Sequence, residues 1–598
     1  MTGRNFRVAL LAAGLFALSG PASAACVLDK VAEIPVTMEG LAPVMTAKIN
    51  GVDAHLLVDY GAFFSSISRS RVDKFHVKPG PLPPNFTVLG VNGEADVGLT
   101  TTSEFSILGA EFHHTQFLVG GSEFGPRADG ILGRNFLMVT DAELDLADGA
   151  VRLFSPKGCS GAPLAYWVTP GGSYSMIELE PPRGRTDRIV GSAKVNGQTI
   201  RVMFDSGAST SVLTLRAAGR AGIHSDGPNV VPAGLTGGFG RRSIETWIAP
   251  VESFKVGDEE IKNTRLRVGA VELEDVDMLL GADFMLSHRI YVARSQNRLY
   301  FTYNGGPVFR LEPAATGRPS VQPAGAAPPA DTHAAGEQPK DASGFARRGA
   351  ASAARRDYAE AISDLTRAME LEPNDPQHAY DRALARLGNR QPLLAMSDLD
   401  QALKLKPEFT LALLQRGRLK ISERDEAGAG ADFDAAVKID PSFRLLVAQS
   451  YEAADIPESA IASYNQWIDA NPKDERLAFA LNGRCWARAE LNRELDQALS
   501  DCNRALRLRP GTADILDSRG LVNLRLGHYD LAIADYDAAL KLRPKTAWSL
   551  FGRGLAELKL GNTAKGQADL KAAAEIAPQL AARAKRRYGL DPDASAKP

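Results

Sequence analysis

The 598-residue sequence has almost no net charge, because 69 lysines and arginines nearly balance 71 aspartates and glutamates. Only 7% of the residues are aromatic, and no basic stripe with interleaved aromatic residues occurs. Both absences argue against a nucleic-acid-binding protein, which needs a concentrated positive surface. Beyond the N-terminal segment, no apolar run is long enough to cross a membrane. A chain of this length exceeds one hydrophobic core, so we expect three or four domains.

The N-terminus departs from this ordinary composition. The segment MTGRNFR carries two arginines, the apolar run VALLAAGLFAL follows, and Ala22 and Ala24 then stand in A-x-A register. This three-part layout is typical of a secretory signal peptide, and eleven apolar residues are short for a membrane anchor of about 20. A lipoprotein at Cys26 is disfavoured because the residues before it lack the usual leucine. We therefore predict that residues 1–24 are removed and that the protein is exported, periplasmic or secreted, with the bacterial envelope favoured.

Cysteine is scarce, with four residues in the whole chain. In an exported protein such residues tend to pair, because the compartment is oxidising. Cys485 and Cys502 are close in sequence, and we predict a disulfide between them. Cys26 and Cys159 form a second plausible pair. Four buried free thiols remain the alternative.

A sequence motif near the N-terminus is repeated. KINGVDAHLLVDYGA begins at Lys48 and KVNGQTIRVMFDSGA begins at Lys194, so Asp59 and Asp205 correspond at an offset of 146 residues. Further on, DGILGRNFL and DMLLGADFM correspond at an offset of 148 residues. A repeat of this length is a duplicated domain rather than a solenoid unit. Alternating strands and Asn-Gly turns predict two small, mostly β lobes packed face to face.

The repeated residues resemble a known family. Two apolar residues are followed by Asp-Ser-Gly-Ala, and an apolar-apolar-glycine triplet lies some 75 residues later. This pattern is similar to that of the retroviral-type, or retropepsin-like, aspartic proteases. The resemblance covers about residues 40–155 and 186–303. It implies that Asp59 and Asp205 form a catalytic dyad in which one carboxylate activates water and the other protonates the carbonyl. It also implies that one chain suffices for the active site, and we expect no cofactor and no catalytic metal.

The supporting residues implied by the resemblance are unequal in the two copies. Gly61 and Gly207 would let each lobe approach the other, and the hydroxyl of Ser206 would bond across the axis. Tyr60 stands where the family has serine or threonine, and its hydroxyl is too distant for the same bond. Either the site is asymmetric but active, or the first lobe has lost its catalytic role.

The family also covers its cleft with glycine-tipped β hairpins, called flaps. LGVNGEA, with Gly90 and Gly93, and GLTGGFGR, with Gly237 and Gly238, lie at the corresponding distance after each aspartate. We interpret them as flaps, with ordinary hairpin turns as the alternative.

The second half of the chain has a different character. Residues 311–342 are rich in alanine, proline and glycine and predict a flexible linker. From residue 343 to about 590, proline recurs mostly every 34 residues, after phrases such as AISDLTRAMELEP and AIADYDAALKLRP. This pattern resembles about seven tetratricopeptide repeats, whose concave face commonly binds protein or peptide segments. The two lobes are expected at residues 26–160 and 161–310.

Two functions follow from these features. The first is an exported aspartic endopeptidase whose tetratricopeptide array recruits a protein or peptide substrate or a protein partner. The second is a catalytically impaired retropepsin-like binding protein that acts as a scaffold through the repeats.

Overall fold

The computed structural model describes most of the chain between the predicted signal peptide and the C-terminus. The described residues are 26–592, without residues 85, 91–92, 122–127, 139, 170, 182–187, 237–243, 272, 274, 310–337 and 475. The predicted signal peptide and most of the predicted linker therefore lie outside the described residues. Within the described part, no helix has both the length and the apolar character needed to cross a membrane.

The first lobe is mostly β structure. Its strands and one short helix are β1 (Val27–Pro35), β2 (Thr37–Glu39), β3 (Ala42–Ile49), β4 (Val52–Val58), β5 (Ser66–Ile67), β6 (Leu89–Gly90), β7 (Gly93–Glu94), β8 (Val97–Ile107), β9 (Ala110–Gly120), β10 (Gly130–Leu132), α1 (Arg134–Leu137), β11 (Asp141–Asp145) and β12 (Ala150–Lys157). Seven strands form one sheet in the order β2-β3-β4-β10-β5-β9-β8, and β3 also pairs with β8. This extra pairing closes the sheet around an apolar interior.

The second lobe repeats this arrangement. Its elements are β13 (Ser175–Glu178), β14 (Val190–Val195), β15 (Gln198–Phe204), β16 (Val212–Thr214), α2 (Leu215–Arg220), β17 (Val231–Thr236), β18 (Ile244–Val256), β19 (Glu259–Gly269), β20 (Met278–Leu280), α3 (Ala282–Met285), β21 (His288–Ala293) and β22 (Arg298–Tyr303). The sheet order is β14-β15-β20-β16-β19-β18-β17, again with closure between β14 and β18. The short helices α1 and α3 follow the ILG and LLG triplets of the two copies.

A third sheet joins the lobes. Its six strands run in the order β1-β12-β11-β21-β22-β13, so each lobe contributes three. At its centre, Glu143 of β11 lies opposite Tyr291 of β21, with Ala142 opposite Val292 and Leu144 opposite Ile290. Glu143 and Tyr291 are equivalent positions of the two copies, so a pseudo-two-fold axis passes between them. The lobes are thus related by an approximate rotation that can bring equivalent residues face to face.

Fifteen helices follow the linker in the described residues. They are α4 (Ala342–Arg355), α5 (Tyr358–Leu371), α6 (Pro376–Gly388), α7 (Pro392–Leu405), α8 (Thr410–Ser422), α9 (Glu426–Ile439), α10 (Arg444–Ala453), α11 (Pro457–Ala470), α12 (Leu477–Leu491), α13 (Leu495–Leu508), α14 (Ala513–Leu526), α15 (Tyr529–Leu542), α16 (Ala547–Lys559), α17 (Thr563–Ile576) and α18 (Leu580–Tyr588). The first fourteen form seven helix pairs. The first helix begins one residue before the predicted boundary, where the Asp341 carboxylate accepts the Gly344 N–H at its start.

Small residues allow the paired helices to approach closely. A Cβ on Gly417 of α8 would lie 2.6 Å from the Phe433 ring of α9, closer than real Cβ contacts. A Cβ on Gly520 of α14 would lie 2.9 Å from the Tyr536 ring of α15. Glycine is therefore required on the first helix of these units because a large side chain of the second helix fills the space.

A buried ion pair also links the two helices of most units. An arginine on the first helix donates two hydrogen bonds to one aspartate on the second, in the pairs Arg348–Asp364, Arg382–Asp398, Arg416–Asp432, Arg484–Asp501, Arg519–Asp535 and Arg553–Asp569. Such forked contacts fix both distance and orientation. These ion pairs were not predicted from the sequence, although arginine and aspartate recur with the 34-residue period.

The helical array packs against the β lobes. Ala351 and Ala354 of α4 belong to the main apolar core of the lobes. Further along the array, Asp440 lies 3.6 Å from Arg71 of the first lobe. Arg543 donates a 3.0 Å hydrogen bond to Glu245 of the second lobe. The array therefore contacts both lobes.

Both cysteine pairs are disulfides in the structure. Cys485 and Cys502 have a Cα separation of 5.7 Å, and Cys26 and Cys159 one of 4.4 Å. The first bond joins α12 to α13 at the positions that Gly520 and Tyr536 occupy in the next unit. The second ties the start of the first lobe to the end of β12. The predicted pair is confirmed, and the pair that the sequence left open is also formed.

Candidate active site

Asp59 and Asp205 follow the ends of equivalent buried strands. The last residues of β4 and β15, Val58 and Phe204, are each 1% exposed. The Asp59 N–H donates to the Leu132 carbonyl at 3.0 Å, and the Asp205 N–H donates to the Leu280 carbonyl at 2.9 Å. Each aspartate is therefore fixed by the neighbouring strand, which ends in the apolar-apolar-glycine triplet. Both residues are only 8% exposed.

The two carboxyl groups meet across the lobe interface, close enough for each to influence the pKa of the other. A Cβ on Gly61 would collide with the Asp205 carboxylate, and a Cβ on Gly207 would collide with the Asp59 carboxylate. Each glycine is therefore needed because the opposite carboxylate occupies the space beside it. This crosswise packing lets the two carboxyl groups approach each other.

Backbone N–H groups hold each carboxylate in the same way. One oxygen of Asp59 accepts the Gly61 N–H at 2.7 Å and the Ala62 N–H at 2.8 Å. One oxygen of Asp205 accepts the Gly207 and Ala208 N–H groups at 2.9 and 3.1 Å. The turn after each strand thus fixes the carboxylate and leaves its second oxygen for other contacts.

The electrostatic environments of the two carboxyl groups differ. Burial raises the pKa of both groups, and the neighbouring Asp59 charge raises the pKa of Asp205 further, well above its ordinary value. The positive charge of the buried Arg134 opposes this rise for the pKa of Asp59. The equivalent residue of the second lobe is Ala282, which carries no charge. Because this positive charge is present in the first lobe alone, the electrostatics favour a negative charge on Asp59 over one on Asp205.

Ser206 makes the bond across the axis that the resemblance implied. Its hydroxyl donates to the Val58 carbonyl at 2.7 Å and accepts the Tyr60 N–H at 3.0 Å. These bonds connect the second lobe to the backbone on both sides of Asp59. Ser206 itself is completely buried.

Tyr60 does not reproduce this bond from the first lobe. Its side chain is 1% exposed and belongs to the main apolar core rather than to the space between the carboxyl groups. The hydroxyl oxygen has no hydrogen-bond partner among the described residues. Burial also raises the pKa of Tyr60, so the phenol stays neutral. The asymmetry therefore removes one of two crosswise anchors, while each carboxylate still packs against the glycine of the opposite lobe.

Two further contacts, which were not predicted from the sequence, support the site. In the first lobe, the Ser65 hydroxyl accepts the Gly133 N–H at 2.9 Å and donates to Asn135 at 2.8 Å. In the second, the Ser211 hydroxyl accepts the Gly281 N–H at 2.9 Å and donates to Asp283 at 2.6 Å. These bonds tie the segment after each aspartate to the triplet beneath it. Ser65 and Ser211 occupy equivalent positions of the two copies, and this match in the sequence could have indicated the two contacts.

The predicted flaps are only partly described. Gly90 and Gly93 pair in the short hairpin formed by β6 and β7. Gly237 and Gly238 lie outside the described residues, between β17 and β18. Glu245, which accepts the hydrogen bond from the helical array, is the second residue of β18. The array thus contacts the second lobe next to its predicted flap.

Comparisons with known families agree with this geometry. Residues 45–136 and 191–284 each match the model of a family described as aspartyl protease. Residues 380–442, 486–547 and 518–581 match a tetratricopeptide repeat model. Two regions of the chain are therefore similar to one aspartyl protease family, and the region after them is similar to tetratricopeptide repeats. These matches confirm the resemblance inferred from the sequence.

Solved structures similar to this chain are tetratricopeptide repeat proteins. One from Parabacteroides merdae is 16% identical, with coverage of 40% of this chain and 93% of its own and a TM-score of 0.34. The C-terminal part of a repeat protein from Cytophaga hutchinsonii is 17% identical, with coverage of 39% and 95% and a TM-score of 0.32. A comparison with curated proteins finds no significant match.

Proposed function

We propose that this protein is an exported aspartic endopeptidase that hydrolyses peptide bonds with water activated by Asp59 and Asp205. The observation that carries the proposal is the meeting of the two carboxyl groups, each packed against the glycine of the opposite lobe. Two acidic groups in a dry interface cannot both ionise easily, so they share a proton and supply one base and one acid.

In this mechanism the two aspartates have different roles. Asp59, whose negative charge Arg134 favours, removes a proton from the attacking water. Asp205 donates its proton to the carbonyl oxygen as the carbon–oxygen bond forms, which gives a neutral tetrahedral diol. The diol then collapses as Asp59 passes its proton to the leaving nitrogen, and Asp205 recovers one from the diol. Charge and protons balance over the cycle, and no metal or covalent intermediate is required.

The helical array is proposed to recruit a protein partner or a peptide substrate. Tetratricopeptide repeats present an extended concave surface suited to such segments. The contact between Arg543 and Glu245 would hold the array beside the second flap. A bound segment could therefore be delivered to the cleft without a separate docking step.

Export is proposed from two independent features. The N-terminal layout is that of a signal peptide. The structure also contains two disulfides, which are typical of proteins in oxidising compartments. Intact mass of the protein purified from the envelope or medium should show a mature chain beginning near Ala25, and retention of residues 1–24 would contradict cleavage.

A second candidate function is a scaffold in which the protease domains bind without cleaving. The observation that favours it is Tyr60, since the first lobe lacks the hydroxyl that would complete the crosswise anchor. The enzyme is the better supported function because the carboxyl groups remain paired despite this change.

Cleavage of an unbiased peptide library by the purified full-length protein tests the proposal. Product mass spectrometry should reveal new peptide ends at acidic to near-neutral pH, and Asp205→Asn should remove them. Persistent cleavage by Asp205→Asn would indicate a contaminating protease or another mechanism. Intact peptides with both proteins, together with partner binding by the array, would favour the scaffold.

A further inference from the structure

Three potential metal ligands meet outside the candidate active site, at the junction between the first two repeat units. Glu372 caps the end of α5, Asp375 caps the start of α6, and His378 lies in the first turn of α6. One atom from each residue lies within 4.8 Å of the other two. The short turn around Pro373 brings the carboxylates and the imidazole to one side of the junction.

His378 is buried in an unusual way for a histidine. The residue is 4% exposed, yet neither ring nitrogen has a hydrogen-bond partner among the described residues. Its Nε2 lies 3.6 Å from Glu372 Oε2 and 3.8 Å from Asp375 Oδ2, too far for hydrogen bonds. A buried polar group without a partner is costly, so its orientation toward two carboxylates requires an explanation.

The two distances from His378 Nε2, 3.6 and 3.8 Å, are close to those between ligands of one metal ion. Ligand atoms about 2.0–2.2 Å from a tetrahedral Zn²⁺ lie roughly 3.3–3.6 Å from one another. Asp375 uses its Oδ1 to accept the Gln377 N–H at 2.8 Å, while Oδ2 is the oxygen directed toward His378. The side chains of Glu372 and Asp375 are 53% and 39% exposed, so an ion could enter from solvent.

The other repeat units provide an internal comparison. His378 can be aligned with residues of other units by their distance from the proline at each junction. The equivalent residues are Ala412, Leu446, Ile515 and Ser549. The positions of Glu372 and Asp375 hold Lys406 and Phe409 in the next unit. No other junction combines two carboxylates with a histidine. The repeat fold therefore does not need this triplet.

We propose that Glu372, Asp375 and His378 bind one divalent transition-metal ion, with Zn²⁺ as the best match. An imidazole with two carboxylates leaves a fourth position for water, and the two negative charges balance the ion. The ion joins the end of α5 to the start of α6. It therefore stiffens the first junction of the array. The site is independent of the proposed peptidase reaction.

Metal titration of the full-length protein tests this site. After chelation and removal of the chelator, Zn²⁺ is added in competition with a chromophoric indicator, and bound metal is counted by elemental analysis. We expect one saturable Zn²⁺ per chain and a zinc-dependent rise in the thermal midpoint of unfolding. His378→Ala should weaken binding at least tenfold and remove that rise.

The controls distinguish the site from general metal binding. His378→Ala places at this position the residue that the next unit carries at Ala412, so the fold should be retained. Asp375→Asn keeps a good helix cap while removing charge, and should also weaken binding. His528→Ala removes an exposed histidine from a later unit and should bind Zn²⁺ like the unmodified protein. Absence of saturable binding, or binding of unchanged strength by His378→Ala, would overturn the proposal.

Discussion

The two β lobes share a scaffold but differ around Asp59 and Asp205. Tyr60 corresponds to Ser206, Arg134 to Ala282, and the exposed pair Phe63-Phe64 to Ser209-Thr210. When two identical chains form such a site, every substitution occurs on both sides. In a duplicated chain each half can change alone. Both halves keep the aspartate and the glycine that follows it, so the site needs these residues twice. The Ser206 hydroxyl and the Arg134 charge occur in one half alone, so one copy of each is enough.

The largest expected effect after loss of an aspartate comes from the paired glycines. Gly61→Ala and Gly207→Ala would each place a Cβ within the opposite carboxylate, so the lobes must separate. A displacement of about 1 Å at a reacting group can reduce the rate about a hundredfold, and we expect at least that loss of kcat/KM in both variants. Ala62→Gly, one residue away, is a control for mobility in the same turn. Normal activity in either alanine variant would contradict the crosswise packing.

Changes at Tyr60 separate its packing from its hydroxyl. Tyr60→Thr offers the hydroxyl that the first lobe lacks, but it removes a buried ring and should lower the free energy of unfolding by about 2–4 kcal/mol. Activity per folded molecule should be preserved or increased. Chemical denaturation and active-site-normalised rates measure the two effects.

Tyr60→Phe is the matched variant, because it keeps the ring and removes a hydroxyl that has no partner. We expect unchanged stability or a gain of about 1 kcal/mol. A clear destabilisation by Tyr60→Phe would mean that the hydroxyl does make a bond.

Ser206→Ala removes the crosswise anchor that remains. The Val58 carbonyl and the Tyr60 N–H would lose their partner in a dry interface, which should lower the free energy of unfolding by about 1–3 kcal/mol. Activity should fall because the lobes are held less firmly. Ser209→Ala, at an exposed position of the same turn, should change neither quantity. Equal effects of the two variants would argue against a special role for Ser206.

The smallest expected effect concerns Arg134, the charge that one lobe has and the other lacks. In Arg134→Met the pKa of Asp59 should rise because the nearby positive charge is lost. Asp59 must be ionised to act as base, so the acidic limb of the kcat/KM profile should move to higher pH, by about one pH unit or less. Arg134→Lys keeps the charge and should shift the limb less. A shift to lower pH would contradict the assigned roles.

Much of the fold and of the candidate site was predictable because the duplicated sequence shows which residues are equivalent in the two lobes. The aligned phrases placed both aspartates, both glycines and Ser206, and the 34-residue period of prolines predicted the helix pairs. The six-stranded sheet between the lobes was not predicted, because pairing between Glu143 and Tyr291 joins segments that no local pattern relates. The burial of Tyr60 also escaped the sequence analysis, since residue type alone does not indicate which way a side chain turns.

The ion pairs of the helical array were not predictable for the same reason, since they join residues of different helices. Arg382 and Asp398 lie on different helices, and their pairing depends on the angle at which those helices pack. The recurrence of both residues in the repeats was visible, but a charge pattern on a helix usually indicates solvent exposure. The structure instead places five of the six paired aspartates at buried positions, with Asp569 as the exception.

Activity of the two single-aspartate variants tests most directly whether the two copies supply one dyad within one chain. Asp59→Asn and Asp205→Asn should each lose more than about a thousandfold in peptide cleavage, since acid and base are both needed. Mixing the two inactive variants should restore nothing, because each chain then lacks one member of its own pair. Full activity in either single variant would contradict the shared dyad, and recovery on mixing would show that the working pair forms between chains.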